Sequence, residues 1–422
     1  MCFSLQVCFK AGKAALLPLA LVVLAGAIAR APYAHRATGT IAAAPWPYLP
    51  GSVLPVRVNG FPAPYLSVLL GPGRLLPGGS YEIPQRVAKG SALLVAGNAA
   101  GLAATSVRIT TPPPPRRSLL VVASYDDGLI FHDALDFSVR GVLATGGAPS
   151  DAVADPSGTI AVTDTQGSIL TLATVSPWSV ARVDGVMLGD EVAIDRTTQA
   201  VFVTDRDWKG SGALTRVSKD GSVTRVATGA TAEGLAIDEA RQLVYVANAN
   251  DGTVTSVSAR SMQVVRRFPA VSRIFSLALS ADGTRLYGVS NQSAGSPFGA
   301  AGAVVAIAVD ASQPRVVARS GNLEFPLGVA LDVNTQTLFV TEEGLGQIDV
   351  LDAQTLRPRR AALPTCMTPW KPLLDPASGR LYVPCAGADA IDVFDARALR
   401  RVPHAPFPTG SYPLAVAIWH PK

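Results

Sequence analysis

Carboxylate and amide side chains recur along the chain beside short apolar runs, where they could bind a cation or a ligand. One group directly follows such runs and contains Asp164, Asp205, Asn248, Asn291 and Glu342. A second group precedes the next apolar run and contains Asp190, Glu191 and Glu233. Carboxylate and amide oxygens are the ligands that Ca²⁺ and other hard divalent cations prefer. The alternative is that these side chains hydrogen-bond the backbone of the adjacent turns, as Asp and Asn commonly do.

Aromatic residues stand near the same positions and could line a binding mouth. They are Tyr125, Trp208, Phe325 and Trp370. Aromatic side chains are frequent anchors in binding sites, although core packing or plain loop variation explains them equally well. We expect no other cofactor than a Ca²⁺ or similar cation, and we leave the identity of any metal open.

The cysteines predict one disulfide. The chain has 4 Cys, of which Cys366 and Cys385 lie outside the N-terminal segment. Two Cys in an exported chain favour a disulfide; two unpaired buried thiols are the alternative. A thiol nucleophile would need a nearby His, and the His positions do not suit a zinc site. No Gly-x-Ser-x-Gly elbow, phosphate loop, dinucleotide fingerprint or His-Glu-x-x-His helix is present, so no catalytic residue is assigned.

The elements that position these residues form a repeat. Each copy has an apolar run ending in a polar residue, a turn, a second apolar run and a Gly-containing turn. The first runs end at positions 155, 195, 238, 280, 332 and 375, so successive copies are 40 to 52 residues apart. This is the length of one four-stranded blade of a β-propeller. The longest interval contains the Gly/Ser/Ala-rich insert Gln292–Ala303.

The two ends of the repeat region complement one another. Residues 118–146 supply a second, third and fourth strand but lack a first one, and the C-terminal run Pro413–Trp419 has first-strand character. Their pairing would complete a seventh blade and remove the open sheet edges. The predicted fold is therefore all-β, with a seven-bladed β-propeller over residues 118–422.

The repeats resemble the YVTN-type β-propeller family. The resemblance covers about residues 118–419 and is carried by units such as Leu243–Asn248 followed by the turn Asn250–Thr253. It implies an exported bacterial protein of binding or unknown role. Looser relatives are gluconolactonase-type lactonases, which hold a metal with Glu, Asn and Asp in the channel, and streptogramin lyases. The WD40 signatures are lacking.

The N-terminal part is organised differently. Residues 1–29 have two Lys, an apolar run and a small-residue end, as in a secretory signal peptide; an uncleaved membrane anchor is the alternative. Short apolar runs over residues 38–111 predict a small Ig-like β-sandwich, and residues 112–117 form a Pro-rich linker. Residues 30–117 contain nine basic residues and one acid.

These features predict a periplasmic or secreted protein that binds a protein, glycan or small ligand on the loop face or at the channel mouth. The alternative is a metal-assisted lactonase or lyase acting in the channel. A net charge of +5 over 422 residues is too dilute for a nucleic-acid binder. The basic N-terminal part is expected to associate with an anionic envelope surface or with the acidic propeller itself.

Overall fold

The computed structural model describes residues 40–42, 46–59, 66–76, 79–98, 101–114, 116–166, 168–186, 189–208, 211–292 and 301–421. They form two compact units. One contains the described residues up to Pro114 together with Arg140–Gly146, and the other contains the rest. The predicted signal segment, residues 1–29, lies outside the described residues. Within them, no helix is long and apolar enough to cross a membrane.

The N-terminal unit is built from short strands. They are β1 (Thr40–Ala42), β2 (Pro47–Tyr48), β3 (Val53–Pro55), β4 (Arg57–Asn59), β5 (Leu66–Leu70), β6 (Arg74–Leu76), β7 (Ser80–Glu82), β8 (Gly90–Asn98) and β9 (Gly101–Ile109). The long strands β8 and β9 form an antiparallel hairpin, to which β5 adds on one side. Leu94 and Ile109 are buried. The Ig-like assignment of residues 38–111 and the linker at 112–117 stay predictions.

The second unit contains the repeat region except for Arg140–Gly146, which groups with the N-terminal unit and includes most of strand β12 (Val139–Leu143). Its strands, with β12, are β10 (Leu119–Ser124), β11 (Gly128–Asp133), β12 (Val139–Leu143), β13 (Pro149–Ala154), β14 (Thr159–Asp164), β15 (Ile169–Val175), β16 (Trp178–Asp184), β17 (Gly189–Ile194), β18 (Val201–Trp208), β19 (Ser211–Val217), β20 (Val223–Ala227), β21 (Ala232–Asp238), β22 (Leu243–Asn248), β23 (Thr253–Ser258), β24 (Val264–Pro269), β25 (Ile274–Leu279), β26 (Arg285–Ser290), β27 (Ala303–Ala308), β28 (Arg315–Arg319), β29 (Pro326–Asp332), β30 (Thr337–Glu342), β31 (Gln347–Asp352), β32 (Leu363–Pro364), β33 (Leu373–Asp375), β34 (Arg380–Cys385), β35 (Ala390–Asp395), β36 (Arg400–Arg401), β37 (Phe407–Pro408) and β38 (Pro413–Trp419). A 3₁₀ turn spans Ala386–Ala388.

These strands form a series of antiparallel sheets, each made of consecutive strands. Four-stranded sheets contain β13–β16, β17–β20, β21–β24, β25–β28 and β29–β32, and a further sheet contains β33–β36 with β37 beside β35. The repeated four-stranded sheet expected from the sequence is therefore confirmed. We call the first strand of each sheet the inner strand; the inner strands are β13, β17, β21, β25, β29 and β33, together with β38.

The chain ends pair as the repeat predicts. Strand β38 pairs antiparallel with β10, so that Trp419 lies opposite Leu119 and Ala417 opposite Val121. Each inner strand also contacts the next, and β38 contacts both β13 and β33, which closes the inner strands into a ring. The number of seven blades stays a prediction. The predicted fourth closing strand, β12, groups with the N-terminal unit over Arg140–Gly146.

The core lies between neighbouring sheets. Strands β10 and β30 are buried at every residue, because both faces of these strands are covered. Their near-continuous apolar sequences follow from this burial. On the C-terminal strand β38 the large side chain of Trp419 is 6% exposed.

We expect Trp419→Ala to destabilise the protein by about 3–5 kcal/mol, since it removes a buried aromatic side chain from the closing strand. Urea denaturation followed by far-UV circular dichroism measures the change. Met367→Ala, at a side chain 69% exposed, is the matched control and should change stability by less than about 0.5 kcal/mol. Equal midpoints for the two variants would contradict a packed closing strand.

Candidate functional site

The inner strands share an irregularity at their N-terminal ends. In β17, Gly189 pairs with Asp205 and Val192 with Val203, so the inner strand has one residue more than its partner. The same excess occurs in the pairings of β13, β21, β25, β29 and β38. Such a β-bulge bends the strand and redirects a side chain. Here it repeats in sheet after sheet, so it brings corresponding residues together.

The extra residues form what we call the bulge ring. Its members are Ser150, Asp190, Glu233, Phe275, Leu327, Trp370 and Leu414. Trp370 belongs to it because Pro369 bridges to Cys385 whereas Leu373 pairs with Tyr382, which is again a shift of one residue. One side of the ring is polar or acidic and the other is aromatic or aliphatic.

Threonines of the second strands hold the bulges in place. The Thr204 hydroxyl accepts a hydrogen bond from the Glu191 amide (3.0 Å) and donates to the Glu233 carbonyl in the next sheet (2.7 Å). Thr163 contacts the Asp151 amide (3.1 Å) and the Asp190 carbonyl (3.0 Å) in the same way. Buried backbone groups that leave the ladder at a bulge need such partners. These threonines immediately precede the predicted site residues Asp164 and Asp205.

A buried charge cluster lies directly behind the bulge ring. The Lys371 ammonium is 3.1 Å from Asp151 Oδ2 and 3.0 Å from Glu191 Oε1. Both carboxylates also accept backbone hydrogen bonds from the next sheet, Asp151 from Val192 (3.0 Å) and Glu191 from Leu235 (2.7 Å). The acids are buried while the Lys371 side chain is 32% exposed. Lys371 thus links three sheets across the ring.

A second cluster adjoins the first. Arg206, near the end of β18, makes a bidentate contact with Glu233 (2.7 and 2.8 Å from Nη2), and its Nε lies 3.5 Å from Asp190 Oδ1. Planar guanidinium groups suit such bidentate pairing with carboxylates. Asp190 therefore stands between the two clusters.

Burial has the largest effect on the pKa values of these acids. It raises the pKa of Glu191 to about 7, with Lys371 opposing and Asp151 adding to the effect. Burial and the neighbouring Asp190 raise the pKa of Glu233 to about 9. Burial lowers the pKa of Lys371, but Asp151 and Glu191 outweigh it and hold that pKa above its usual value. Burial therefore keeps Glu191 and Glu233 from being fully ionised at neutral pH.

A small cavity lies at this position. Its volume is about 30 Å³, and its lining includes Asp190, Glu191, Phe275, Trp370 and Lys371. Phe275 and Trp370 meet edge to face with ring centroids 6.5 Å apart. Within the described residues the buried indole Nε1 of Trp370 has no hydrogen-bond partner. The cavity thus combines carboxyl oxygens, an ammonium group and an aromatic wall.

The predicted residues at the second-strand ends have other surroundings. Asp164 accepts from the Gln166 amide (2.8 Å), Asn248 donates to Thr253 and Thr255 (3.0 and 2.9 Å), and Asn291 donates to the Pro326 carbonyl (3.4 Å). The Asp164 bond caps its turn, Asn248 bonds to the third strand of its sheet, and Asn291 bonds to the inner strand of the next sheet. These residues do not line the cavity.

The two remaining acids of that group are buried beside the third strands. Asp205 is bonded by the Thr215 hydroxyl, and Arg225 lies 3.5 Å away; burial raises the pKa of Asp205 to about 6. Burial and Asp349 raise the pKa of Glu342 to about 8. Of the predicted polar residues, the structure therefore brings only Asp190, Glu191 and Glu233 together.

The predicted aromatic residues do not lie together in one rim. Trp370 lines the cavity. Tyr125 packs edge to face with Tyr412 at 6.2 Å and accepts a hydrogen bond from Gln166, and Phe325 is 41% exposed with a φ of 52°. Trp208 ends strand β18, and its side chain lies outside the description. The bulge-ring residue of β29 is Leu327; the predicted Phe325 lies two positions before it.

The clusters do not suit a divalent cation. Among the described residues, no group of three or more His, Cys, Asp or Glu side chains is arranged to hold a metal ion. The physical reason is that Lys371 and Arg206 already occupy the positions between the carboxylates. The Glu/Asn/Asp metal set implied by the lactonase resemblance is therefore not reproduced at this place.

The predicted disulfide is confirmed and supports the segment that bears Lys371. Cys366 and Cys385 are bonded, with their Cα atoms 5.7 Å apart. Between them and the site, the Thr368 carbonyl accepts from the Ala386 amide (3.0 Å) and the Trp370 amide donates to the Pro384 carbonyl (2.8 Å). The segment that carries Trp370 and Lys371 is thus fixed against β34.

Sequence reasoning missed Asp151, Arg206 and Lys371. Asp151 was available as the residue aligned with Glu191 in the preceding repeat. Lys371 offers a weaker signal, a lone cation at the aligned position of a later repeat. Arg206 contacts the site only because β18 continues past Asp205, which the repeat did not indicate.

Comparison with known proteins establishes the fold. No protein-family model matches the sequence, and no curated protein matches it. Among solved structures, a functionally unknown protein from Desulfotomaculum acetoxidans is 14% identical and has a TM-score of 0.59, the match covering 72% of this chain and 99% of that one. A periplasmic gluconolactonase from Pseudomonas aeruginosa has 15% identity, a TM-score of 0.57, and coverage of 72% and 99%.

Virginiamycin B lyase from Staphylococcus aureus is also similar, with 12% identity, a TM-score of 0.51, and coverage of 62% of this chain and 84% of that one. These neighbours are β-propellers, and the chain shares their fold. Identities this low carry the fold alone. Membership of the YVTN-type family is not shown by any of these matches.

We expect Lys371→Met to destabilise the protein by about 2 kcal/mol at neutral pH. Removing one partner of a fully buried ion pair costs about 3–5 kcal/mol, and the partial exposure of Lys371 reduces this. Urea denaturation measures the loss. Adding Glu191→Gln to Lys371→Met should restore part of it, since one uncompensated carboxyl is removed while the acceptor for Leu235 stays. Lys219→Met, at an exposed position, is the control. No loss in Lys371→Met would contradict the cluster.

Glu233 should make stability depend on pH. Its folded pKa of about 9 lies above the ordinary value of 4.5, so its contribution is complete below pH 4.5 and is lost as the pH rises towards 9. We expect Glu233→Gln to flatten the fall in unfolding free energy between about pH 5 and pH 9, by up to about 1.4 kcal/mol per pH unit. Urea denaturation at several pH values measures it, with the more exposed Glu239→Gln as the control. Parallel curves for wild type and Glu233→Gln would refute this assignment.

Proposed function

We propose that this protein is exported and binds a polyhydroxylated ligand, such as the end of a glycan chain, at the cavity beside the bulge ring, and that this cavity recognises the ligand without catalysing a reaction. The proposal rests on the combination in one cavity of an unpaired indole N–H, carboxyl and ammonium groups, and an aromatic wall. Export is supported by the disulfide, which oxidising compartments favour, together with the predicted signal segment.

The size of the cavity limits what can enter. Pockets that enclose a small molecule have volumes of about 300–1,000 Å³, whereas this cavity has about 30 Å³. That is close to the space one water molecule occupies in the liquid, about 30 Å³. A hydroxyl-sized group can therefore enter, while the remainder of its ligand must stay outside. This favours recognition of a projecting group over the enclosure of a whole substrate.

The lining suits a sugar hydroxyl better than an ion. A hydroxyl both donates and accepts, and the cavity offers carboxyl oxygens of Asp190 and Glu191 beside the Lys371 ammonium. A ligand cation would meet Lys371, and a ligand anion would meet the carboxylates, so neither charge has an advantage. Trp370 and Phe275 supply apolar faces for the C–H surface of a sugar ring, and the unpaired Trp370 Nε1 can donate to one of its oxygens.

The basic N-terminal part has a separate proposed role. Residues 30–117 carry nine basic residues against one acid. Such a charge excess favours association with an anionic envelope surface, weakened by salt.

We expect the purified protein to bind a defined set of neutral oligosaccharides on a glycan array. Trp370→Ala and Asp190→Asn should each weaken that binding by about tenfold or more, the equivalent of about 1.4 kcal/mol. Tyr412→Ala is the control, because Tyr412 is an aromatic side chain 42% exposed that does not line the cavity.

Two results would overturn this function. One is the absence of glycan binding, or binding that is unchanged in Trp370→Ala. The other is hydrolysis of glucono-δ-lactone that requires added Ca²⁺ and is lost in Asp190→Asn, which would establish the metal-assisted lactonase instead. Both measurements use the intact chain, with circular dichroism to confirm that each variant is folded.

A further inference from the structure

A larger pocket lies at the opposite ends of the inner strands. Strand β38 starts beside Leu414 of the bulge ring and ends at Trp419, and His420 follows it. The pocket there has a volume of about 450 Å³, and its lining includes Ser118, Asp375 and His420. This size is within the range of about 300–1,000 Å³ found for small-molecule sites. All its lining residues belong to the second unit.

Three of the lining side chains form a continuous hydrogen-bonded chain. Ser118 Oγ lies 2.9 Å from His420 Nδ1, and His420 Nε2 lies 3.0 Å from Asp375 Oδ1. The Asp375 side chain is 2% exposed, whereas that of His420 is 37% exposed. A hydroxyl next to an imidazole whose other nitrogen meets a buried carboxylate is the arrangement that activates a serine nucleophile.

Asp375 caps a turn, as acids do in other repeats, but this capping role does not account for its contact with His420. Asp375 accepts from the Ser378 hydroxyl and the Ala377 amide. Asp195 and Asp332 cap the corresponding turns of other repeats through Thr198 and Thr335. Of these described turn acids, Asp375 alone contacts a histidine. The His420 contact is therefore an addition to the repeat, made where the chain ends meet.

Two arginines complete the wall of the pocket. Arg117 is held by Asp133 at 2.9 Å, and Arg380 donates to the Ala134 carbonyl at 3.0 Å. A guanidinium carries five N–H donors, so each arginine retains donors beyond these bonds. Donors fixed near a serine can stabilise the oxyanion that forms when it attacks a carbonyl. Leu135 and Ile418 add apolar surface to the same pocket.

We propose that Ser118 and His420 hydrolyse small carboxylic esters, with Asp375 positioning His420. Ser118 Oγ bonds to the ester carbonyl carbon while its proton passes to His420 Nδ1. The C–O bond to the alcohol then breaks, and the alcohol leaves with that proton. Water, deprotonated by His420, attacks the acyl-serine and releases the carboxylic acid, which restores Ser118. The only co-reactant is water. Either imidazole nitrogen can act as the base when the other donates to the carboxylate.

The test uses p-nitrophenyl butyrate as substrate and a fluorophosphonate as a covalent probe of the purified full chain. We expect hydrolysis above that of the heat-denatured protein and one phosphonate adduct on the peptide containing Ser118. Ser118→Ala and His420→Gln should each reduce hydrolysis at least about 100-fold and abolish the adduct. The matched controls are Ser222→Ala and His404→Gln, at exposed positions, which should retain both.

The positioning role of Asp375 is tested separately. Asp375→Asn removes the charge and one of the two oxygens that cap the turn, so we expect a lower melting temperature and slower phosphonate labelling of the folded protein, with faster labelling again in Asp375→Glu. Asp332→Asn, at the same turn position of another repeat, should not change labelling. Should an Asp375 variant fail to fold, the Ser118→Ala comparison decides, since Ser118 is only partly buried.

The proposal is overturned if the folded protein neither hydrolyses the ester nor forms the adduct, or if the adduct persists in Ser118→Ala. The contact would then be a structural tie between the closing strand and its neighbours. Glycan binding at the cavity beside the bulge ring is independent of this result, because Ser118→Ala leaves that cavity intact.

Discussion

The one-residue bulge at the start of each inner strand is the constraint from which the candidate site follows. A regular strand would alternate its side chains between the two faces of a sheet, and none of its acids would converge with those of neighbouring sheets. The extra residue redirects Ser150, Asp190 and their counterparts towards a common cavity. Threonine hydroxyls such as Thr204 make this possible, because they bond the backbone groups that the bulge withdraws from the ladder.

The charges then follow from where the bulges place them. Asp151 and Glu191 are buried, and buried carboxylates require a partner. Lys371 supplies it from a distant part of the chain, held there by a segment fixed through Cys366 and Cys385. Lys371 thus occupies the space between these two carboxylates.

The junction of the chain ends has a different character. The sheets that contain β13–β37 are made from consecutive strands, whereas β38 meets β10 from the other end of the repeat region. Residues beside this junction are released from the repeat pattern, and Ser118 and His420 lie there, next to the turn of Asp375. The larger pocket lies beside this junction and is lined by Ser118 and His420.

There is a physical reason why some features could be predicted from the sequence and others could not. The all-β class, the repeated four-stranded sheet, the pairing of Pro413–Trp419 with residues near 119 and the Cys366–Cys385 bond were all predictable. They depend on local alternation, turn chemistry, repeat length and cysteine count, which are properties of the chain itself. The acids Asp190, Glu191 and Glu233 were also identified, because they precede the first apolar runs of their repeats.

What only the tertiary structure decided is which side chains share a site. Asp164, Asn248 and Glu342 have the same residue types as the acids of the site, yet they bond to their own turns or third strands. Lys371 and Asp151 are 220 residues apart, and Ser118 and His420 are 302 apart. Their meeting depends on bulges, on closure of the ring and on burial, and such long-range contacts leave no local periodicity in the sequence.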